Sequence, residues 1–328
     1  MLASVLNKGF RGAILWLAGL LLVSASLSAF AFRDLESSSF PNLFYNYFAN
    51  KVSSRSMIVL INYLVIASGV LLVSLIAGRQ EILEKSNYYP VFIYLIICLA
   101  AIQPSQLSAR ATANLFVLYA FYRLLDSYRE EEAMNKIFEA GFLTSLSAFA
   151  SISSIVNFPL LFIALLILRP FHWREWVVAF IGFLSPVFIY ECVAYLADLN
   201  QWYFIKAGIG FFSYATAPRI SEYYLPILFL LGILLIAAIT GSVIGGFGNT
   251  VKKQKAKVIL LWFIFLNALG FLSEFTNASK ILLTLSLPLS FFIGDMLYNI
   301  RQQKITNTIL VLLFFCLMLI FAAEYEFI

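Results

Sequence analysis

Charge is what this chain has least of. Only 12% of its 328 residues are Asp, Glu, Lys or Arg, against 62% hydrophobic, whereas a soluble domain carries about 25% charged residues. So little charge and so much apolar surface exclude a disordered chain, a soluble enzyme and a nucleic-acid-binding domain. Histidine is nearly absent: His172 stands alone, which excludes a His-rich metal centre and leaves only a His-containing triad. Cysteine is scarce as well. Cys98, Cys192 and Cys316 lie far apart inside apolar runs and read as small buried hydrophobes, not as disulfide partners or metal ligands. No zincin, G-x-S-x-G or C-x-x-C pattern occurs, and Gly241, Gly245, Gly246 and Gly248 lack the spacing of a phosphate-binding loop. No cofactor is named by any motif. With no internal repeat and no Pro-, Ser- or Gly-rich linker, residues 1–328 read as a single transmembrane domain.

What is abundant is apolar and aromatic: 33 Phe, 17 Tyr and 5 Trp, with a mean hydropathy of +0.91. A helix needs about 20 apolar residues to cross the hydrocarbon of a bilayer. Runs of this kind, some a little shorter, lie near 12–32, 57–77, 88–104, 109–125, 137–153, 155–170, 175–197, 223–241, 257–273, 279–299 and 306–323. The expectation is an all-α, polytopic integral membrane protein of about eleven transmembrane helices. The pair 137–153 and 155–170 is short enough to be one re-entrant hairpin instead. The first run has the order of a signal peptide, with Lys8 and Arg11, an apolar stretch, then small residues over 24–29. It is expected to remain as an uncleaved first helix.

The net charge of +5 reads as orientation, because excess Lys and Arg stay on the cytoplasmic side of a membrane. With the N-terminus inside, the cytoplasmic segments hold fifteen of the 22 cations, including Lys252, Lys253, Lys255 and Lys257 in one short segment. The other side holds Arg33, Lys51, Arg55, Arg110, Lys206, Arg219 and Lys280. The predicted topology is N-in, C-out, in a bacterial inner membrane, with the bilayer as the first partner and nucleic acid excluded.

Several segments could carry chemistry. The first outer loop places Asp34 and Glu36 just where the first run ends, followed by Leu43, Phe44, Tyr47, Phe48 and Val52 on one helical face. That spacing predicts an amphipathic helix lying in the membrane interface; the plainer alternative is a solvated loop with ordinary flanking charges. The second outer loop, 198–222, combines Trp202, Tyr203, Phe204, Phe211, Phe212 and Tyr214 with the cations Lys206 and Arg219. It reads either as a lid with cations for a lipid phosphate or as an aromatic interface belt. Glu191 near the outer end of the seventh run is costly at membrane depth, about 2.5–3.5 kcal/mol on insertion scales, so it should face a cavity or a partner such as Arg110. Asp295, near the inner end of the tenth run, is expected to snorkel toward Arg301. The small residues of 144–154 suit close helix packing or the lining of a polar cavity. The segment before and through the lysines reads as a flexible basic loop against anionic lipid heads.

Three stretches carry a resemblance: Ala113 to Leu124, Ile137 to Gly141, and Arg169-Pro170-Phe171-His172-Trp173-Arg174-Glu175-Trp176. Together they resemble a family of bacterial inner-membrane proteins known only as a domain of unknown function, over most of the chain. At a coarser level the layout is similar to GT-C glycosyltransferases, which use polyprenyl-phosphate sugars. Those enzymes have an acidic residue after the first span and a surface helix in the first outer loop, positions that Asp34 and Glu36 occupy here. The short loop Gln103-Pro104-Ser105-Gln106 departs from the pattern by lacking the acidic residue many of them place after the third span.

The resemblance implies a transferase at the outer face. Asp34 or Glu36 would be the general base, and Arg110, Glu191, Lys206 and Arg219 would bind the lipid-phosphate substrate. Two other readings stand beside it: a non-catalytic subunit or assembly scaffold working with other membrane proteins, and a transporter of lipid-linked or small polar cargo.

Overall fold

The computed structural model of the chain describes residues 55–79, 87–102, 108–196, 222–244, 250–274, 278–300 and 302–324. Among them the fold is all-α. In chain order the helices are α1 (Arg55–Arg79), α2 (Tyr89–Ala101), α3 (Ala109–Asp126), α4 (Met134–Ala150), α5 (Asn157–Leu168), α6 (Trp173–Leu196), α7 (Leu225–Ile244), α8 (Val251–Glu274), α9 (Ala278–Asn299) and α10 (Gln303–Glu324). Short 3-10 turns, Ile152–Val156 and Glu222–Tyr224, precede α5 and α7.

Each apolar run from 57–77 onward forms one of these helices, but the expectation of eleven spans does not stand. Among the described residues five segments are long and apolar enough to cross a membrane: Met57–Gly78, Trp173–Leu196, Glu222–Ser242, Ala278–Asn299 and Gln303–Ala323. Such a set is that of a multi-pass membrane protein. The 13 residues of α2 and the 12 of α5 extend only about 20 Å at 1.5 Å per residue, short of a hydrocarbon core of about 30 Å. The physical reason for the miscount is that hydropathy measures removal from water, by lipid or by protein alike. Every residue of α2 is buried by its neighbours, and a helix apolar all round is what a protein interior also selects. The run 12–32 and the interfacial helix expected after it lie outside the described residues.

The centre of the bundle is α9 with α2 packed along it. Of the most apolar stretch of α9, 78% is buried, against 22–33% for the other four long spans. Those four turn Leu64, Leu71, Phe188, Phe229, Ile236 and Phe315 outward, the apolar face that lipid would cover. Two helix contacts need glycine, the α4–α6 one on both sides, at Gly141 and at Gly182. A Cβ at Gly294 would run into the Pro90 ring, where α9 crosses the start of α2, and one at Gly141 would meet the backbone carbonyl of Ala179. The second lets α4 lie against α6 at backbone distance, with Thr144, Ser145 and Ser147 buried nearby. The small residues of α4 therefore serve packing, as one of the two readings held. Inside α6, Pro186 cannot donate to the carbonyl of Gly182, and the Ser185 hydroxyl donates to that oxygen instead at 2.9 Å.

At the polar margins, caps set the helix starts. Ser108 accepts the Ala111 N–H at 3.2 Å and begins α3. Its own N–H donates to Asn62 Oδ1 of α1 at 3.0 Å. Asn87 likewise accepts the N–H of Tyr89 at 3.1 Å and donates to the Gly294 carbonyl at 3.3 Å, fixing the entry of α2 against α9.

Candidate functional site

Among the described residues, six ion pairs gather at one end of the bundle, where α3, α5 and α9 finish and α4, α6 and α8 begin. The turn between α3 and α4 is its hub. Lys136 reaches Asp126 and Glu130 at 2.6 and 2.5 Å. Burial works to lower the pKa of Lys136, but hydrogen bonds and charge from Asp126 and Glu130 outweigh it and hold the ammonium above its ordinary value. Arg129 in this turn has φ 60°, a left-handed backbone that costs a non-glycine residue about 1–3 kcal/mol.

Arg169 joins this turn to the next. Its Nε lies 3.0 Å from both carboxylate oxygens of Glu175, and its Nη1 donates to the carbonyls of Ser127 and Glu130 at 2.5 and 2.7 Å. Only a planar guanidinium can hold a carboxylate and two carbonyls of another loop at once. The same arrangement shows that the start of α4 and the end of α5 return to one end, since Lys136 and Arg169 both hold Glu130. Phe171 and Trp173, each 64% exposed, flank the turn as interface anchors.

The lysines at 252–257 are not in a flexible loop, as the sequence suggested. All four lie in the first two turns of α8. Lys253 and Lys257, four residues apart on one face, each donate to Asp295 of α9 at 2.7 Å, one to each carboxylate oxygen. Lys257 also donates to the Ser242 hydroxyl of α7 at 3.1 Å. Asp295 is 4% exposed and Lys257 5%; the expectation that Asp295 reaches out toward Arg301 is therefore corrected. Lysines at 253 and 257, on the spacing of one helical turn, were the signal that a buried acid would face them. Lys255 donates to the carbonyl of Leu168, the last residue of α5, at 3.1 Å, a cation on the negative end of a helix dipole. The cations of Arg129, Lys252 and Lys255 lie 5.3, 5.9 and 5.0 Å from the centre of the Tyr128 ring.

Away from this end, two other features stand out. In mid-bundle Asn114 donates to Ser286 Oγ at 2.8 Å and reaches Tyr94 Oη at 3.4 Å, a buried polar link between α2, α3 and α9. Near the opposite end, a groove of about 690 Å³ runs along α6, its described wall made of Ile181, Leu184, Ser185, Val187, Phe188, Glu191 and Tyr195. The wall is apolar except for Ser185, the carboxylate of Glu191 and the Tyr195 hydroxyl.

Of the residues expected to act on substrate, Asp34, Glu36, Lys206 and Arg219 lie outside the described residues. Glu191 stands in the wall of the groove on α6. Arg110 opens α3, half-buried. Helix α4 packs along both α3 and α6, and the described wall of the Glu191 groove takes no residue from α3. Among the described residues no group of three His, Cys, Asp or Glu could hold a metal ion.

An all-α, multi-pass membrane protein with a cross-tied charged end and an apolar groove at the other is thus the class the fold defines. The chain belongs to a family of unknown function, DUF6427, which matches residues 41–327. No curated protein and no solved structure matches it.

Proposed function

We propose that this protein is a bacterial inner-membrane glycosyltransferase of GT-C-like layout, using a polyprenyl-phosphate-linked sugar at the outer face. The observation that carries the reading is the groove along α6. Its aliphatic and aromatic wall suits a polyprenyl chain, and Glu191 and Tyr195 give it a polar end remote from the charged end of the bundle. The excess of cations at the charged end supports a cytoplasmic position for that end and an outer one for the polar end of the groove. In the reaction, Asp34 or Glu36 takes the proton of the acceptor hydroxyl as its oxygen bonds to the anomeric carbon. The bond from that carbon to the lipid phosphate breaks, and the phosphate leaves with the electron pair. Arg110, Lys206 or Arg219 would stabilise the departing charge.

The test is photocrosslinking in nanodiscs with a polyprenyl phosphate carrying a photoactivatable group in its chain. Crosslinks should map to Ile181–Phe188, and Leu184→Trp, which fills the groove, should reduce them. Crosslinks spread evenly over the outer faces of α1 and α10 would dismiss the groove as a site. For catalysis, Asp34→Asn should end sugar transfer while the protein still accumulates; undiminished transfer would overturn the reading.

A second reading, a non-catalytic subunit or scaffold of an envelope complex, has its own support. The charged end spends its carboxylates and guanidinium on holding loops and helices together, as a rigid platform would. A stable stoichiometric partner in a mild-detergent pull-down, with no transfer activity, would favour it.

A further inference from the structure

Two turns at the charged end are tied into one surface. Arg169 stands two residues before Phe171, and its Nη1 holds the Glu130 carbonyl at 2.7 Å, one residue before Glu131. The α3–α4 and α5–α6 turns therefore lie side by side under the same guanidinium. Both signs of charge are exposed across this surface: Glu131 and Glu132 on one turn, His172 and Arg174 on the other. Among the described residues, Glu131, Glu132 and Arg174 belong to no ion pair. Arg174 lies over the ring of its neighbour Trp173, 5.7 Å from the centre. Phe171 is fixed edge-on against Trp176 at 5.1 Å and still leaves 64% of its surface open. From the turn, Trp173, Val177 and Phe180 continue along one face of α6 as an exposed apolar stripe.

We propose that this surface is the contact between two copies of the chain, related by a two-fold axis along the membrane normal. A two-fold contact pairs one residue with a second on the partner and the second with the first, so each copy must carry both halves of every pair. Here both halves sit on adjacent turns. Glu131 and Glu132 of each copy meet the cation of Arg174 from the other. A layer of anionic headgroups would match Arg174 but repel the two glutamates, and a partner of one charge sign would match only half of the surface. The stripe on α6 supplies the apolar centre that such contacts bury beneath a polar rim. Arg169, bound to Glu175 and to two carbonyls of the α3–α4 turn, fixes the geometry before the copies meet, so association has little left to order. The inference holds for a transferase and for a scaffold alike.

The experiment is cross-linking of the full chain in native membranes with a short bis-maleimide, read as dimer on a denaturing gel. The chain carries His172→Cys, with Cys98, Cys192 and Cys316 replaced by Ser. Most of it should run as dimer, while Glu222→Cys in the same background, at the other end of the bundle, should link far less. Glu131→Arg/Glu132→Arg and Arg174→Glu should each lower the yield at 172 by about tenfold, because each sets like charges against one another across the axis. Combining the three substitutions exchanges the signs and should restore the dimer, which also shows that the parent variants fold. Equal linking at 172 and 222, a yield untouched by both charge variants, or a combined variant no better than its parents would overturn the proposal.

Discussion

Lys257 and Asp295, both almost wholly buried, meet at 2.7 Å between α8 and α9, and Lys253 holds the other oxygen of the same carboxylate. Burying ions is expensive, and removing one member leaves the rest uncompensated. Asp295→Asn should therefore destabilise the protein by about 3–5 kcal/mol. Adding Lys257→Met to it should recover part of that loss, because Lys253 is nearer to water. Thermal unfolding in detergent reads both. A double variant less stable than Asp295→Asn would mean that Lys257 contributes chiefly through Ser242.

Arg169 is irreplaceable by lysine if the geometry at the α5–α6 turn is right. Arg169→Lys keeps the charge but cannot hold Glu175, Ser127 and Glu130 together, so a loss of about 2–3 kcal/mol is expected. Limited proteolysis should then cut the α3–α4 turn sooner. Unchanged cutting would show that the turn is held by Lys136 alone.

Gly141 and Gly232 make a matched pair. A methyl at Gly141 meets the Ala179 carbonyl, whereas one at Gly232 meets nothing within 4 Å. Gly141→Ala should cost about 1–3 kcal/mol by forcing α4 from α6, while Gly232→Ala should be neutral or slightly stabilising. Equal effects would contradict the packing of α4 on α6.

Orientation can be read by cysteine labelling in a chain with Cys98, Cys192 and Cys316 replaced by Ser. Glu222→Cys should react with a membrane-impermeant maleimide in intact cells, and Arg129→Cys only after permeabilisation. The reverse pattern would invert the topology and place the α6 groove's polar end in the cytoplasm.

Helices were the legible part of this sequence, since each apolar run from residue 57 onward became one. Their roles were not. Tyr89–Ala101 and Met57–Gly78 are both apolar runs without a charge, yet the first is enclosed by protein and the second turns Leu64 and Leu71 outward. Composition cannot tell lipid from side chains as the apolar neighbour. Asp295 was misjudged for a related reason. Its partners lie 38 and 42 residues away, whereas Arg301 was the cation nearest in sequence, and only the packing of α8 on α9 chooses between them. Glu191, a lone carboxylate in an apolar run, was expected to face a cavity or a partner, and it stands in the wall of the α6 groove.

The complete enclosure of α2 bears on how the chain enters a membrane. A segment of 13 residues, about 20 Å long, is a poor stop signal for an insertion machine that tests each helix as it emerges. Its main neighbour, α9, is synthesised nearly two hundred residues later, and the Pro90–Gly294 contact cannot form before then. Until synthesis reaches α9, α2 must wait beside α1 or in the care of an insertase. Truncation before residue 278 should therefore leave an assembly intermediate that cellular proteases remove, while a cut after α9 should be far better tolerated.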